Sequence, residues 1–190
     1  MSVLVMGIDP GFAKVGYSFV QLHQDRAVPV RMGLIQTKKS DKKLKVLASD
    51  DNFRRAKVIS EELIGVIAEV EAEEGALCAL CIEGKSFPRN ASAAAKVAMC
   101  WGVLAKLSVD TGIPVIQARP QEIKIKLCKK ANASKAEVMA ACQAIYGKAV
   151  LEGLVRSIAQ SNLEHPYDSL AAVVACLDSE MLRLARRMSA

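Results

Sequence analysis

An uninterrupted apolar run at residues 3–8 limits the fold of this chain more than any other segment. Its consecutive apolar residues, with no polar alternation, are typical of a central strand that is buried on both faces. Asp9 follows this run directly, and Pro10 and Gly11 then favour a turn. The N-terminus therefore predicts a buried strand that ends in a carboxylate.

The remaining pattern predicts an α/β fold. Alternating residues at 15–21 and 28–37 indicate two strands that form an antiparallel meander with the first, and further strands are expected at 76–82 and 113–116. Helices are predicted from about residue 52 to 70, at 91–109, from Ser134 to Gly147 and at 166–186. We expect a mixed five-stranded sheet flanked by helices, in a single domain over residues 1–190.

Composition indicates which partners, cysteine chemistry and cellular location to expect. The formal net charge of +6 is compatible with a polyanionic partner but does not require one. Most of the six cysteines lie in apolar runs, and Cys78 and Cys81 fall within a predicted strand, so free thiols are expected rather than zinc or disulfide chemistry. The N-terminus lacks the pattern of a signal peptide, and no apolar run reaches the length of a membrane span. We expect a cytoplasmic protein without a membrane partner, in a bacterial cell or in a host cell if the chain is viral.

Three carboxylates lie at the ends of apolar segments. Glu83 ends the strand predicted at 76–82, and Asp168 lies in the first turn of the last predicted helix. Each has a simple alternative role: Asp9 as a turn former, Glu83 as a solvated strand end and Asp168 as a partner of the helix dipole. Acidic residues at strand ends and helix starts can also converge on divalent cations, which take oxygen ligands. Their joint occurrence makes a metal site the hypothesis to test.

The sequence around these acids resembles a known family. Gly7 to Gly11, followed by Gly16 and Tyr17, is similar to the first motif of RuvC-type Holliday junction resolvases, which belong to the RNase H-like superfamily. The resemblance continues in order and at matching intervals through Glu83, Asn90, Ala91, Ala94, Lys96, Gly102, Lys124, Lys135, His165 and Asp168. In the last motif the family places either Asp or His three residues before an Asp, and here that residue is His165.

The resemblance implies an RNase H-like fold and a metal-dependent endonuclease that cuts phosphodiesters with two Mg²⁺ ions, with Mn²⁺ as a substitute. Asp9 is expected to bridge both ions, and Glu83 and Asp168 to complete the site. The products would carry 5′-phosphate and 3′-hydroxyl ends. His165 shares a helix face with Asp168. It is therefore expected to ligate a metal, orient the attacking water or exchange protons, with a local hydrogen bond at the helix start as the alternative.

Basic and aromatic residues are expected to contact the substrate. The resemblance implies that Lys124 and Lys135 stabilise charge on the phosphate or contact the DNA backbone. The residues predicted to bind DNA are Lys85, Phe87, Arg89, Lys126, Lys129 and Lys130. Phe87 would stack on an unpaired base. For Lys126, Lys129 and Lys130, a solvated loop is an equal alternative.

The expected substrate is branched DNA, including four-way junctions, flaps and forks. Relatives usually carry a Gln and then an aromatic or apolar wedge after the second acid. This chain instead has a more basic stretch at 84–90, which favours a broad, bacteriophage-like preference. Symmetric incision needs two active sites, so a homodimer is expected. The helix with Trp101 would form part of its interface, or Trp101 would belong to the core. The alternatives are an RNA–DNA hybrid or flap nuclease of the same fold, and a non-catalytic branched-DNA-binding protein.

Overall fold

The fold is built on a mixed five-stranded sheet. The structure, a computed structural model, describes residues 3–84 and 88–188. Its strands are β1 (Val3–Asp9), β2 (Lys14–Leu22), β3 (Ala27–Gln36), β4 (Leu77–Glu83) and β5 (Val115–Ala118), in the order β3-β2-β1-β4-β5. The first three strands are antiparallel neighbours, and β1–β4 and β4–β5 are parallel. The predicted mixed sheet is confirmed.

Seven α-helices occur in the described residues. They are α1 (Ala48–Glu74), α2 (Ala91–Thr111), α3 (Pro120–Cys128), α4 (Lys135–Tyr146), α5 (Lys148–Leu154), α6 (Glu164–Cys176) and α7 (Glu180–Met188). Two short 3₁₀ turns accompany them, at Lys42–Leu44 and Gln160–Asn162. The helix predicted from Ser134 is α4, with the expected capping box between Ser134 and Glu137 and its end at Gly147.

Two helix predictions were wrong in detail, and two helices, α3 and α5, were not predicted. The helix predicted at 166–186 is divided into α6 and α7 because a new helix begins after Ser179, whose Oγ accepts from the Leu182 N–H at 3.4 Å. The basic stretch before Lys135 contains α3, which was not predicted, although Pro120 at its first position is a helix-start signal. Finally, α1 begins at Ala48, four residues before its predicted start near residue 52, so that Asp51 lies inside its first turn and accepts hydrogen bonds from Ser40.

The first strand divides the core into two layers. Every residue of β1 is buried, as its continuous apolar sequence predicts. Val3 and Val5 pack into a core that includes residues of α4 and α6, whereas Leu4, Met6 and Ile8 pack into a core that includes residues of α1 and α2. Asp9 therefore leaves the sheet from a strand that is held on both faces.

Glycines allow α6 to approach the sheet closely. A Cβ at Gly7 would lie 2.1 Å from the Ser169 carbonyl oxygen, and one at Gly16 would lie 2.1 Å from the His165 carbonyl oxygen. Gly16 is also the β2 partner of Asp9. The first turn of α6 therefore lies directly against the end of β1. A side chain larger than that of glycine at Gly7 or Gly16 would collide with the backbone of α6.

The expectation that no apolar run could span a membrane needs a correction for α2. By length and composition alone, this 21-residue helix would be long and apolar enough, and 17% of its most apolar window is buried. Its hydropathy comes from many Ala, Val and Met residues rather than from a strongly apolar run. Core helices of globular proteins reach the same values, and Cys100, Leu104 and Leu107 do pack into the core. The helix nevertheless presents much apolar surface.

Candidate active site

Three carboxylates meet at one edge of the sheet. Asp9 ends β1, Glu83 ends the parallel neighbour β4, and Asp168 lies in the first turns of α6. One oxygen from each lies within 4.8 Å of the others. Asp9 is buried and the other two are half-buried. The structure thus brings together the three acids that the sequence singled out.

His165 contacts the most buried of these acids. Its Nδ1 lies 2.8 Å from Asp9 Oδ2, and its Nε2 lies 3.6 Å from Glu164 Oε1. Since α6 starts at Glu164, His165 and Asp168 are one turn apart and both reach the end of β1, as their spacing predicts. The imidazole is thereby held in one orientation at the rim of the acidic cluster.

Lys135 adds a positive charge to the site from the first turn of α4. Its Nζ donates to Glu164 Oε2 at 2.6 Å and lies 3.8 Å from Asp168 Oδ2. Burial lowers the pKa of Lys135, but the hydrogen bond to Glu164 and the charges of Asp168, Glu164 and Asp9 outweigh it and raise the pKa above its ordinary value. The ammonium group therefore stays charged at neutral pH.

Glu164 is a site residue that the sequence pattern did not identify. The hydrogen bond from Lys135 lowers the pKa of its carboxyl group, with a further contribution from His165. Its position next to His165 was the only signal in the sequence, and no motif supported it. The contact shows that Glu164 holds Lys135 against the acidic cluster.

The other predicted residues are less closely tied to the cluster. Lys124 is half-buried on α3, which packs against α6. Lys126 forms an ion pair with Asp178, Lys130 forms one with Glu137, and Lys129 is the left-handed C-cap of α3. Arg89 is exposed just before Asn90, the N-cap of α2. Lys85 and Phe87 lie outside the described residues, so their predicted DNA contacts stay predictions.

The donor set suits a hard divalent cation. Three carboxylates offer only oxygen ligands, the type that Mg²⁺ and Mn²⁺ prefer. The cysteines are free thiols, as expected. Cys81 is buried beside Cys176, whose hydrogen bond raises the pKa of the Cys81 thiol together with burial. Within the described ranges, the acidic cluster is the only group of such side chains that could hold a metal ion.

Comparison with known proteins identifies the family. The family model described as crossover junction endodeoxyribonuclease RuvC matches residues 5–148. The chain belongs to the RuvC family. The RuvC of Pseudothermotoga lettingae is 30% identical over 136 residues, which cover 72% of this chain and 75% of that protein. The RuvC of Thermotoga maritima is 27% identical over 188 residues, covering 99% of this chain and 96% of that protein.

Solved RuvC structures share the fold. Thermus thermophilus RuvC in complex with a Holliday junction substrate has a TM-score of 0.68 at 23% identity, over 97% of each chain. The yeast mitochondrial Holliday junction resolvase Ydc2 has a TM-score of 0.59 at 12% identity, over 97% of this chain and 82% of that one. The predicted RNase H-like fold is confirmed. The RuvC family model ends before His165 and Asp168, so the geometry of the acidic cluster is what supports their place in the site.

Proposed function

We propose that this RuvC family member is a metal-dependent endonuclease that resolves Holliday junctions and other branched DNA. The observation that carries the proposal is the approach of Asp9, Glu83 and Asp168 to within 4.8 Å of one another. Family membership and the RuvC relatives described as crossover junction endodeoxyribonucleases support the same activity. A cytoplasmic location would give the enzyme access to bacterial or viral DNA.

The acidic cluster is proposed to hold two Mg²⁺ ions, which Mn²⁺ can replace. Asp9 suits the bridging position because it ends the buried central strand between Glu83 on β4 and Asp168 on α6. Bound there, the ions would activate a water for attack on the phosphorus and stabilise the leaving 3′ oxygen. The products on this scheme carry 5′-phosphate and 3′-hydroxyl ends.

His165 is proposed to orient the attacking water or to move its proton. Asp9 fixes the Nδ1 side of the ring at 2.8 Å, whereas Nε2 lies 3.6 Å from Glu164 Oε1, beyond hydrogen-bond distance, so we assign the proton exchange to Nε2. A part in metal binding is compatible with the same contact. In either role, Asp9 and the first turn of α6 determine where the ring lies.

Lys135 and Lys124 are proposed to stabilise negative charge on the scissile phosphate. Lys135 is the better placed of the two, because Glu164 anchors its ammonium group 3.8 Å from Asp168. A fixed positive charge costs little reorganisation as the pentavalent phosphate develops charge. Lys124 would act from α3, beside the same helix α6.

We propose that the enzyme is a homodimer that pairs through α2. The exposed positions of this helix include a stripe of small and apolar residues at alternating spacings of four and three, namely Ala91, Ala95, Ala98, Gly102, Ala105 and Val109. Such spacing follows one face of a helix and lets a second helix approach closely. Trp101 is half-buried against the core at the edge of this stripe. Two copies related by a twofold axis would present two active sites to a symmetric junction.

Cleavage of defined DNA substrates tests the proposed activity. Purified protein in Mg²⁺ is given an end-labelled four-way junction, a flap, a linear duplex and an RNA–DNA hybrid. We expect paired nicks across the junction. Asp9→Asn should cut at least about a thousandfold more slowly while binding the junction normally, because loss of a metal ligand costs several kcal/mol of transition-state stabilisation.

The other outcomes separate the alternatives. Equal cutting of junction and flap would indicate a general debranching nuclease, and preferred cutting of the hybrid would indicate an RNA–DNA hybrid nuclease. Tight junction binding without cutting in Mg²⁺ or Mn²⁺ would leave a structural DNA-binding protein. Cutting by Asp9→Asn at the wild-type rate would contradict the proposed site.

A further inference from the structure

A basic groove lies between the β3–α1 connection and the start of α2. Its volume is about 420 Å³. Four lysines line it together with hydroxyl and amide groups, and we call the following set the basic groove: Lys39, Lys42, Lys45, Lys96, Ser40, Ser92 and Asn52. None of these residues belongs to the acidic cluster or to the DNA contacts expected from the sequence.

The lysine-bearing segment is fixed in place by α1. Asp51 accepts hydrogen bonds from the Ser40 N–H at 3.0 Å and from Ser40 Oγ at 2.7 Å. Arg54 Nη2 donates to the Lys38 carbonyl at 2.7 Å and to Asp51 Oδ1 at 2.8 Å. Asp41 caps the 3₁₀ turn Lys42–Leu44 by accepting from the Lys43 N–H. The segment thus presents its lysines in a set arrangement, which reduces the entropy lost when a ligand binds.

The charge of the groove remains positive after its acids are counted. Asp41 and Asp51 also line it, but one caps the 3₁₀ turn and the other bonds Ser40 and Arg54. The four lysines therefore outnumber the two acids, both of which already accept hydrogen bonds from protein groups, and the groove keeps a net positive charge. On the α2 side, Lys96 Nζ donates to Ser92 Oγ at 3.2 Å, which brings ammonium and hydroxyl donors together. Such donors are the ones that contact phosphate oxygens of DNA.

The groove is connected to the hairpin that carries Asp9. Arg55, the neighbour of Arg54 on α1, donates to Thr37 Oγ1 at 2.9 Å and to the Phe12 carbonyl at 3.1 Å. Thr37 Oγ1 donates to the same carbonyl at 2.6 Å. Phe12 lies in the turn after Asp9, so consecutive residues of α1 hold both this turn and the lysine segment. Hydrogen bonds of α1 thus connect the lysine segment to the turn that follows Asp9.

We propose that the basic groove binds the phosphate backbone of a duplex arm of the DNA substrate. The inference rests on the proposed function, which supplies a DNA bound at the acidic cluster. An open groove with several separate lysines suits successive phosphates along a strand, because each lysine acts as a point charge without a fixed bidentate geometry. The groove would contribute affinity and register for the arm and would carry no base specificity.

The test compares two triple variants in the cutting-deficient Asp9→Asn background. One carries Lys39→Gln, Lys42→Gln and Lys96→Gln. The matched control carries Lys57→Gln, Lys148→Gln and Arg156→Gln, which remove the same charge from exposed positions outside the groove. Junction affinity is measured from about 50 to 200 mM salt. We expect the groove variant to bind on the order of 10- to 100-fold more weakly near 0.1 M salt, with a salt slope smaller by about two to three.

The control should retain the affinity and salt slope of its parent within about twofold. Equal losses in both triple variants would overturn the proposal, because they would reflect net charge alone. An unchanged salt slope in the groove variant would overturn it as well. Thermal unfolding of each variant establishes that the fold is intact. Since Asp9→Asn measures binding alone, failure of the wild-type protein to cut junctions would count against the proposed function and not against the groove.

Discussion

Among single residues, His165 offers the sharpest test of the site. Its Nδ1 contacts Asp9 at 2.8 Å, so a replacement changes the reaction without removing any of the three acids. We expect His165→Ala to slow single-turnover junction cutting about 10²- to 10³-fold, the range typical of a lost acid–base group. His165→Asp should retain more activity, since a carboxylate at this position can also ligate a metal or accept a proton. Junction affinity should stay unchanged, and His23→Ala serves as the control. Equal losses in the Ala and Asp variants would contradict these roles.

A second single-residue prediction concerns Lys135, which is proposed to stabilise negative charge on the scissile phosphate. Its pKa is raised above the ordinary 10.5 by Glu164 and the acidic cluster, against the effect of burial. The group therefore stays protonated between pH 7 and 9, and cutting over this range should not follow its titration. Lys135→Gln should lower the cutting rate about 10- to 100-fold by removing one preorganised charge, whereas the exposed Lys148→Gln should not. A rate loss that is equal in both variants would exclude a specific role.

The hydrogen bonds of Asp51 make the stability of the folded protein depend on pH. The hydrogen bond from Ser40 Oγ, with a further one from Arg54, lowers the pKa of Asp51 to about 2 from its ordinary 3.8. A lowered carboxyl pKa stabilises the folded state fully above the unfolded value, and this contribution is lost as the pH falls through the folded value. The difference in free energy of unfolding between wild type and Asp51→Asn should be constant above about pH 4 and shrink towards pH 2. Denaturant titrations at each pH measure it. A constant difference down to pH 2 would contradict the hydrogen-bond network.

At the scale of elements, the contact between α6 and the sheet determines whether the site forms. A Cβ at Gly16 would lie 2.1 Å from the His165 carbonyl, and backbone cannot yield as a flexible side chain does. Gly16→Ala should therefore push the first turn of α6 away from β2, destabilise the protein by about 1–3 kcal/mol and abolish most cutting. Gly65→Ala is the control, because nothing lies within 4 Å of the Cβ it would add to α1. That variant should be stabilised by about 0.5–1 kcal/mol and cut normally. Equal free energies of unfolding and equal cutting rates in Gly16→Ala and Gly65→Ala would contradict this role of Gly16.

The strands and helices differ in how well the sequence predicts them. Strand periodicity located all five strands to within a few residues, because β1 and most of β4 are buried on both faces and the sequences of β2 and β3 partly alternate between apolar and polar residues. The acids at strand ends converged because parallel neighbours end at one edge of the sheet. The helix break at Ser179 was missed because it depends on a side chain that accepts from a backbone N–H. The start of α1 was missed because no side chain caps the helix at Leu47. Glu164 was missed for a related reason: its role comes from Lys135, which is distant in sequence and close only after folding.

For the whole molecule, the apolar stripe of α2 predicts the oligomeric state. Ala98 lies at its middle and is exposed in the single chain. If two copies pair through this stripe, Ala98→Glu buries an unpaired charge at close helix contact and should convert the dimer to a monomer. Ala68→Glu, on an exposed position of α1, is the matched control and should leave the dimer intact. Analytical ultracentrifugation measures the mass of each variant.

The junction assay then connects assembly to activity. A monomer retains Asp9, Glu83, Asp168 and His165 within one chain, so it should still nick a junction. It should lose the paired incision of opposite strands, because the second active site is no longer tied to the first across a twofold axis. The expected product of Ala98→Glu is therefore single nicks, where two nicks are expected from the wild type. A dimeric Ala98→Glu protein would exclude the α2 stripe as the interface. A monomer that still makes paired nicks would show that symmetric cutting does not require the dimer.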